Sequence, residues 1–463
     1  MTHFDTVILG GGPGGYVAAI RCAQQGMKTA VVEKQWWGGV CLNVGCIPTK
    51  SLLRNAEIAQ ILSREKKTFG IMGDATCDYG AAFSRSRTVS DRMVQGIHFL
   101  MKKNKITEYS GTGEFKGPKK LCVTFDTGVM ENLTFDHCII ATGATPAMLP
   151  GITPGPRVMT YEQLIMSPNL PRSVIIVGGG AIGTEFAYIL ASYGVSVTVV
   201  ETQGRLLPME DAEVSAEVTK AYKALGITIH TSSSVDSIIQ DMKAAKVTIS
   251  SGENTQQIEA DQVMIATGFQ PRTTGYGLES TGVELTEQGA ISIDAMMKTS
   301  VPGLYAIGDV TGKLMLAHVA EAQGVVAAEA IAGGAPLPLD YDMIPRAIYG
   351  EPQVASFGYT EAQAKEKGND VRVSKFPFAA NGKAWALGKG TGFVKIVADA
   401  THNEILGAHM VGPDVTELLP ELTLACTWDL TADEIARTIH AHPTLSEALK
   451  EAAEGVGGQM TNF

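Results

Sequence analysis

The sequence predicts an α/β protein: two parallel-sheet units that each open strand–turn–helix–strand, followed by an α+β C-terminal third. Three observations carry this. The run Gly10-Gly11-Gly12-Pro13-Gly14-Gly15 lies between an apolar strand and a helix, and the next strand ends on Glu33. The same order recurs around Gly178-Gly179-Gly180-Ala181-Ile182-Gly183, with Glu201 again 23 positions past the first glycine. From about Tyr341 the texture changes to short strands broken by turn signals, with no glycine run.

Size and composition agree. At 463 residues, about three or four domains are expected. Seven scattered cysteines do not suggest a secreted disulfide framework. The N-terminus runs straight into a strand with no leader-like segment, which points to a cytoplasmic protein. No apolar run is long enough to cross a membrane, and a net charge of −11 argues against nucleic acid.

In the first unit, Thr6–Leu9 reads as a strand, Tyr16–Gln25 as a helix and Thr29–Val32 as the next strand. Gly10 makes the tight turn. Gly12 lets backbone approach a pyrophosphate, and Gly15 lets helix and strand pack closely. Glu33 would accept hydrogen bonds from ribose hydroxyls. Glycine-rich turns also serve packing alone, but here strand, helix and acid are all in register.

Cys41 and Cys46 follow in Gly38–Lys50, five positions apart. On an ideal helix their Cα atoms would be roughly 8–9 Å apart, beyond the ~7 Å that a bridge tolerates. A disulfide would need a bent backbone, which Gly45 can supply. Pro48 suits the first turn of a helix starting near Cys46, whose N-terminus favours a thiolate. The pair reads as reducible thiols. Two structural cysteines or half a metal site are the alternatives, and no second close pair supplies the other half. No metal is expected.

Ser51–Lys66 and Asp78–Lys105 read as helices, the second with Met93, Ile97, Leu100 and Met101 on a core-facing side. Ser110–Phe115 reads as a strand with close backbone approach. Leu121–Phe125 and Glu131–Phe135 read as a hairpin-like pair, and Asp136–Gly143 as a buried strand ending Ala-Thr-Gly, with Cys138 in the core.

In the second unit, Val174–Val177, a helix over Thr184–Tyr193 and Ser196–Val200 repeat the layout, and Asp261–Gly268 repeats the Ala-Thr-Gly ending. Two units call for two nucleotides. Glu201 suits the free 2′-hydroxyl of NAD and would repel the phosphate of NADP; Arg205 is weaker counter-evidence. Thr299–Ile307 then leads to Gly308-Asp309, a carboxylate at a sheet edge, and Leu316-Ala317-His318 opens a helix running through Glu329.

In the last third, Val354–Phe357, Val371–Phe376, Phe393–Ala398 and Ile405–Val411 read as strands, and Thr416–Trp428 and Thr431–Ile439 as apolar helices suited to packing on another copy. His440-Ala441-His442-Pro443-Thr444-Leu445-Ser446-Glu447 closes the chain's chemistry. Thr444 or Ser446 can cap the next helix, and a Glu in its first turn can orient a loop His as a general base.

Together these pieces resemble the flavin-dependent pyridine nucleotide–disulfide oxidoreductase family, essentially end to end. Gly39–Lys50, Gly308-Asp309 and His440–Glu447 are the most specific parts. The resemblance is closest to members that oxidise dihydrolipoamide. It implies Rossmann-like FAD and NAD domains plus an α+β dimerisation domain: 1–146 for FAD and the disulfide, 147–271 for NAD, 272–340 completing the FAD domain and 341–463 as the interface. It implies that Gly10, Gly12, Gly15, Glu33, Lys50, Gly113, Thr142, Gly143, Asp309 and Ala317 serve FAD, with Glu185 paired to Lys50. Gly178, Gly180, Gly183, Glu201 and Gly268 would serve NAD. Cys41 would exchange with lipoamide and Cys46 would meet the flavin. His442, oriented by Glu447 and supplied by a second subunit, would move protons. A homodimer is implied, with a lipoyl-bearing acyltransferase of a 2-oxo acid dehydrogenase complex, or a glycine-cleavage lipoyl protein, as partner. A glutathione or similar small-disulfide reductase using NADPH is the nearest rival, and Glu201 argues against it. A mercuric reductase would carry a further cysteine pair near its end, whereas the last cysteine here is Cys426.

Overall fold

Near-continuous apolar runs such as Val7-Ile8-Leu9 and Val174–Val177 belong to parallel strands covered on both faces. The computed structural model describes residues 1–463 and gathers them into two compact units. The first unit holds 1–51, 80–147 and 268–339, and the second holds 52–79, 148–267 and 340–463.

The first unit is built on a seven-stranded sheet. Its order is Thr107–Ser110, Thr29–Glu33, Thr2–Leu9, Met130–Ile140, Lys120–Thr124 and Thr112–Phe115, with Leu304–Ala306 also pairing with Met130–Ile140. The pairings of the first four strands and of Leu304–Ala306 are parallel, and the remaining two are antiparallel. Phe4, Val7 and Leu9 face one core, and Ile8 and Val31 the other. On the second face helix Pro13–Gln24 packs against helix Ala317–Ile331. Their crossing is close because small residues meet there: a methyl added to Gly324 would lie 2.8 Å from the Gly14 carbonyl oxygen.

Three expectations change here. Glu131–Phe135 and Asp136–Ile140 are one strand, Met130–Ile140. Its first half pairs antiparallel with Lys120–Thr124, and the strand pairs parallel with Thr2–Leu9 from Leu133 onward. That pairing also starts the first strand at Thr2 rather than Thr6. Helix Tyr79–Lys103 buries Ile97 and Met101, but Met93 stays 43% exposed. The helical stripe is narrower than its apolar residues suggest.

In the second unit a five-stranded parallel sheet runs Thr228–His230, Ser196–Val200, Ser173–Val177, Gln262–Ile265, Val158–Thr160. A three-stranded antiparallel sheet, Ser234–Gln240, Ala245–Ser251 and Asn254–Ala260, shares its core. The C-terminal sheet has the order Arg346–Ile348, Gln353–Gly358, Ile405–Gly412, Phe393–Asp399, Val371–Pro377, all antiparallel. Helices Val415–Thr427 and Glu447–Val456 pack on it. No helix is long and apolar enough to cross a membrane.

Candidate active site

The first glycine run divides by what surrounds each position. Gly10 has φ +112°, and a Cβ there would stand 2.2 Å from the Ala141 carbonyl oxygen. A Cβ on Gly15 would stand 1.9 Å from the Gly10 carbonyl oxygen. These two glycines are demanded by the fold. A Cβ on Gly12 would meet nothing closer than Gly39 Cα at 3.7 Å. Gly12 therefore leaves room at a helix N-terminus that no side chain caps, the setting of an anion site. The second run repeats this. Gly178 has φ +112° and would clash with the Ala266 carbonyl at 2.3 Å, Gly183 with the Gly178 carbonyl at 1.9 Å, and Gly180 with nothing within 4 Å.

The two acids are equally matched. Glu33 accepts hydrogen bonds from the Gly11, Gln35 and Trp36 amides at 2.7, 2.8 and 3.0 Å. Glu201 accepts from the Gly179 and Gln203 amides at 2.6 and 2.8 Å and from the Thr202 hydroxyl at 3.2 Å. A carboxylate offers about four acceptor positions, so each acid braces its own loop and still has capacity for a ribose hydroxyl. Arg205 donates to the Pro208 and Glu210 carbonyls, both at 3.2 Å, which commits its guanidinium to the loop.

The cysteine segment breaks between two helices. Cys41 lies in the short helix Gly39–Asn43, and Cys46 is the first residue of Cys46–Gln60. Gly45 acts through close approach: a Cβ there would lie 2.9 Å from the Val40 carbonyl oxygen, and its φ is not positive. The Asn43 amide group donates to the Trp37 and Gly39 carbonyls, both at 2.9 Å, and the Asn43 carbonyl accepts from Arg87 at 2.6 Å. The segment is fastened to the first glycine run. The Gly38 amide donates to the Gly11 carbonyl at 2.9 Å, and a Cβ on Gly39 would lie 2.6 Å from Gly12 Cα. The Cys41 thiol is pushed far up, first by its hydrogen bond with Cys46, then by burial and the charge of Cys46, with Lys50 opposing. Cys41 is half-buried and Cys46 exposed.

Asp309 lies in the turn Gly308–Thr311, and burial raises its pKa to about 6. The chain donates no hydrogen bond to its carboxylate, so it suits a hydroxyl-bearing ligand. Ala317 is the first residue of the uncapped helix that follows. Thr142, Gly143 and Gly113, expected at the flavin, also make contacts within the chain. The Thr142 hydroxyl donates to the Arg272 carbonyl at 2.8 Å, which leaves its backbone for a ligand. Gly143, with φ +72°, holds the same junction, its carbonyl accepting from the Arg272 amide at 2.9 Å. Gly113 serves the sheet, since a Cβ there would lie 2.6 Å from Leu9 Cδ1. Gly268, φ +116°, accepts from the Ala147 amide at 2.9 Å. Glu185 is buried in the second unit and accepts from the Tyr349 amide at 2.9 Å.

At the C-terminus the two histidines separate cleanly. The His440 side chain is buried, with Nε2 2.8 Å from Glu421 and Nδ1 2.9 Å from the Thr438 carbonyl. His442 has an 80% exposed side chain, and its Nδ1 lies 2.9 Å from Glu447 Oε1. Its Nε2 points away from that contact and is available to a substrate. Burial, the largest influence on Glu447, raises its pKa, but hydrogen bonds from the Thr444 amide and His442 bring it below the usual range. Neither Thr444 nor Ser446 caps the helix with its hydroxyl. Glu447 reaches back to the Thr444 amide at 2.8 Å, and the Thr444 hydroxyl bonds the Ala441 carbonyl.

Residues 4–324 match the pyridine nucleotide-disulphide oxidoreductase family, and residues 344–453 match its dimerisation domain. This chain belongs to the pyridine nucleotide-disulphide oxidoreductase family. Among curated relatives, dihydrolipoyl dehydrogenase of Mycobacterium tuberculosis is 56% identical over 464 residues, covering all of both chains. That of Mycobacterium leprae is 57% identical over 467 residues, again end to end. The structure of LpdA from M. tuberculosis superposes with a TM-score of 0.91 at 27% identity, covering 98% of this chain and 100% of that one. The HOCl-induced flavoprotein disulfide reductase RclA from Escherichia coli gives 0.88 at 27%, with coverage of 98% and 100%. Family members of the dihydrolipoyl dehydrogenase type use FAD and NAD, and the two open glycine positions, braced acids and unpartnered Asp309 fit those groups.

The sequence pointed to most of this site and missed its supports. Arg87, which with Asn43 holds the turn between the cysteines, carries no motif. Tyr16 donates to Glu321 at 3.3 Å, and burial, Glu321 and Cys41 in turn raise the tyrosine's pKa. Both positions look like ordinary helix residues in sequence.

Proposed function

We propose that this chain is an FAD-dependent dihydrolipoyl dehydrogenase that reduces NAD. The carrying observation is the cysteine segment bound by its Gly38 amide to the first glycine run, which ties the segment that carries the thiol pair to the loop assigned to FAD. End-to-end identity with dihydrolipoyl dehydrogenases supports the substrate.

On this reading Gly10, Gly12, Gly15, Glu33, Gly143, Asp309 and Ala317 hold FAD, with Lys50 and Glu185 near its ring and Thr142 contributing backbone. Gly178, Gly180, Gly183, Glu201 and Gly268 hold NAD. Residues 1–146 and 272–340 form the FAD domain, 147–271 the NAD domain and 341–463 the dimer interface. In the oxidised state, with Cys41 and Cys46 joined as a disulfide rather than held as the free thiols seen here, a dihydrolipoyl thiolate attacks Cys41 Sγ, breaking that bond and releasing Cys46 as thiolate. The second substrate thiol attacks the mixed disulfide, releasing oxidised lipoyl group and leaving Cys41 as thiolate. His442, from the partner subunit, takes the proton of the attacking thiol through Nε2, while Glu447 holds Nδ1, and the second thiol's proton is released to water. FAD, when bound, carries the two electrons onward to NAD as hydride, a transfer a dithiol cannot make directly. The partners are a second copy of this chain and a lipoyl-bearing protein of a cytoplasmic 2-oxo acid dehydrogenase or glycine-cleavage system.

Anaerobic turnover with dihydrolipoamide or glutathione against NAD or NADP tests the reading. Activity with dihydrolipoamide and NAD is expected. Activity confined to glutathione and NADP would replace it with a small-disulfide reductase.

A further inference from the structure

The loop 201–211 begins at Glu201, the acid assigned to the NAD ribose, and ends at Glu210 and Asp211. Its near end is bound to the second glycine run. Glu201 accepts from the Gly179 amide, and the Leu207 amide donates to the Gly179 carbonyl at 2.9 Å. Leu206 and Leu207 are buried beneath it, and Leu207 takes φ +49°, uncommon for a side chain of its size. The middle is stiffened by Arg205 on the Glu210 carbonyl and by the Ser215 hydroxyl on the Leu206 carbonyl.

The far end is anchored elsewhere. Glu210 and Asp211 are buried carboxylates, 3% and 5% exposed. Their cations come from the C-terminal sheet. Lys395, itself 2% exposed, places Nζ 3.1 Å from Asp211, 3.1 Å from Glu213 and 3.5 Å from Glu361. Arg346 Nε lies 3.1 Å from Glu210 Oε1, and the Ser356 hydroxyl donates to Glu210 Oε2. Lys375 also reaches Glu213. Asp211 caps helix Ala212–Ala224 by accepting from the Glu213 amide at 2.9 Å, and that helix packs on strand Ile405–Gly412. His409, fully buried on that strand, gives Nε2 to the Tyr359 carbonyl, and burial holds it below its usual pKa beside Asp211 and Glu210. The site therefore relies on Lys395 and Arg346 for positive charge.

We propose that Lys395 and Arg346 are positioning residues for NAD: the C-terminal sheet sets the ribose-binding end of loop 201–211 by holding its far end. Buried carboxylates keep their place only while paired. Removing Lys395 leaves Asp211 uncompensated, since Glu213 keeps Lys375, and Asp211 relaxes toward water. The loop is short and its Leu207 bond to Gly179 is rigid, so the shift reaches Gly179 and Glu201. The anchor and the loop both lie in the second unit, and the proposal gives Lys395 no part in thiol exchange.

The inference rests on the NAD assignment of Glu201, and the test separates the two. Lys395→Met and Lys395→Arg are prepared as FAD-loaded dimers, with Glu201→Gln beside them. In Lys395→Met the KM for NAD should rise roughly ten-fold, in line with sub-ångström misplacement of a binding group. Its kcat should stay within about two-fold, and the anaerobic rate of flavin reduction by dihydrolipoamide should not change. Lys395→Arg should recover most of the loss. An unchanged KM for NAD in Lys395→Met, or a parallel fall in flavin reduction, overturns the proposal. Should Lys395→Met fail to retain FAD, Arg346→Gln is read by the same two outcomes. If Glu201→Gln leaves the KM for NAD unchanged, the NAD assignment fails instead.

Discussion

His442 and Asp309 make their case as single residues. His442 is exposed with one nitrogen held and the other open, whereas its neighbour His440 has both engaged. His442→Gln should lower lipoamide turnover roughly 10²–10⁴-fold, the usual range for losing a positioned acid–base group, with flavin content unchanged by absorbance. His440→Gln should leave turnover nearly intact and act on stability through Glu421. Asp309 has its pKa raised to about 6 by burial alone. A ribitol hydroxyl is bound by the anion, so FAD affinity should strengthen as pH rises through about 6 and level off above it. Asp309→Asn should bind FAD more weakly and with no pH dependence in that window. Flavin fluorescence titration between pH 5 and 8 reads both slopes.

At the scale of elements, each glycine run contains two kinds of glycine, and substitution should separate them. Gly12→Ala and Gly180→Ala meet no close atom, so both chains should fold. The first should lose FAD and the second NAD affinity, because the methyl sits where a diphosphate approaches. Gly15→Ala and Gly183→Ala collide with a carbonyl at 1.9 Å, and each should destabilise the fold by about 1–3 kcal/mol or more, seen in urea unfolding. These runs were readable in sequence because strand, turn, helix and acid lie within some two dozen neighbouring residues. The Met130–Ile140 strand was not, because one chain segment serves an antiparallel neighbour first and then runs on beside a parallel one. Met93 misled for a related reason: periodicity gives a face but not how wide the covering element is. The bond of the Thr142 hydroxyl was not legible because its acceptor, the Arg272 carbonyl, lies 130 positions away.

For the whole molecule, the C-terminal third leaves Trp428 and Ile439 71% and 96% exposed, apolar surface suited to a second copy. Ile439→Asp with Trp428→Asp should yield an FAD-loaded monomer by sedimentation. That monomer should lose lipoamide turnover, since His442 would no longer reach the partner's cysteines, but should still pass electrons from NADH to a dye, which needs no thiol exchange. The two parallel-sheet units and the α+β C-terminal third were legible because two copies of one pattern and a change of texture mark them. The Lys395 anchor was not, since its carboxylate partner Asp211 is 184 positions away. Residues 148–267 leave and rejoin the first unit at neighbouring positions. Strands Ala144–Pro146 and Phe269–Pro271 pair antiparallel, and the Ala147 amide donates to the Gly268 carbonyl at 2.9 Å. Departure and return are thus side by side, so a host sheet can accept a duplicate of itself at that point with almost no loop left to close. The matching 2.2 and 2.3 Å approaches at Gly10 and Gly178 are what such a nested duplication would leave behind.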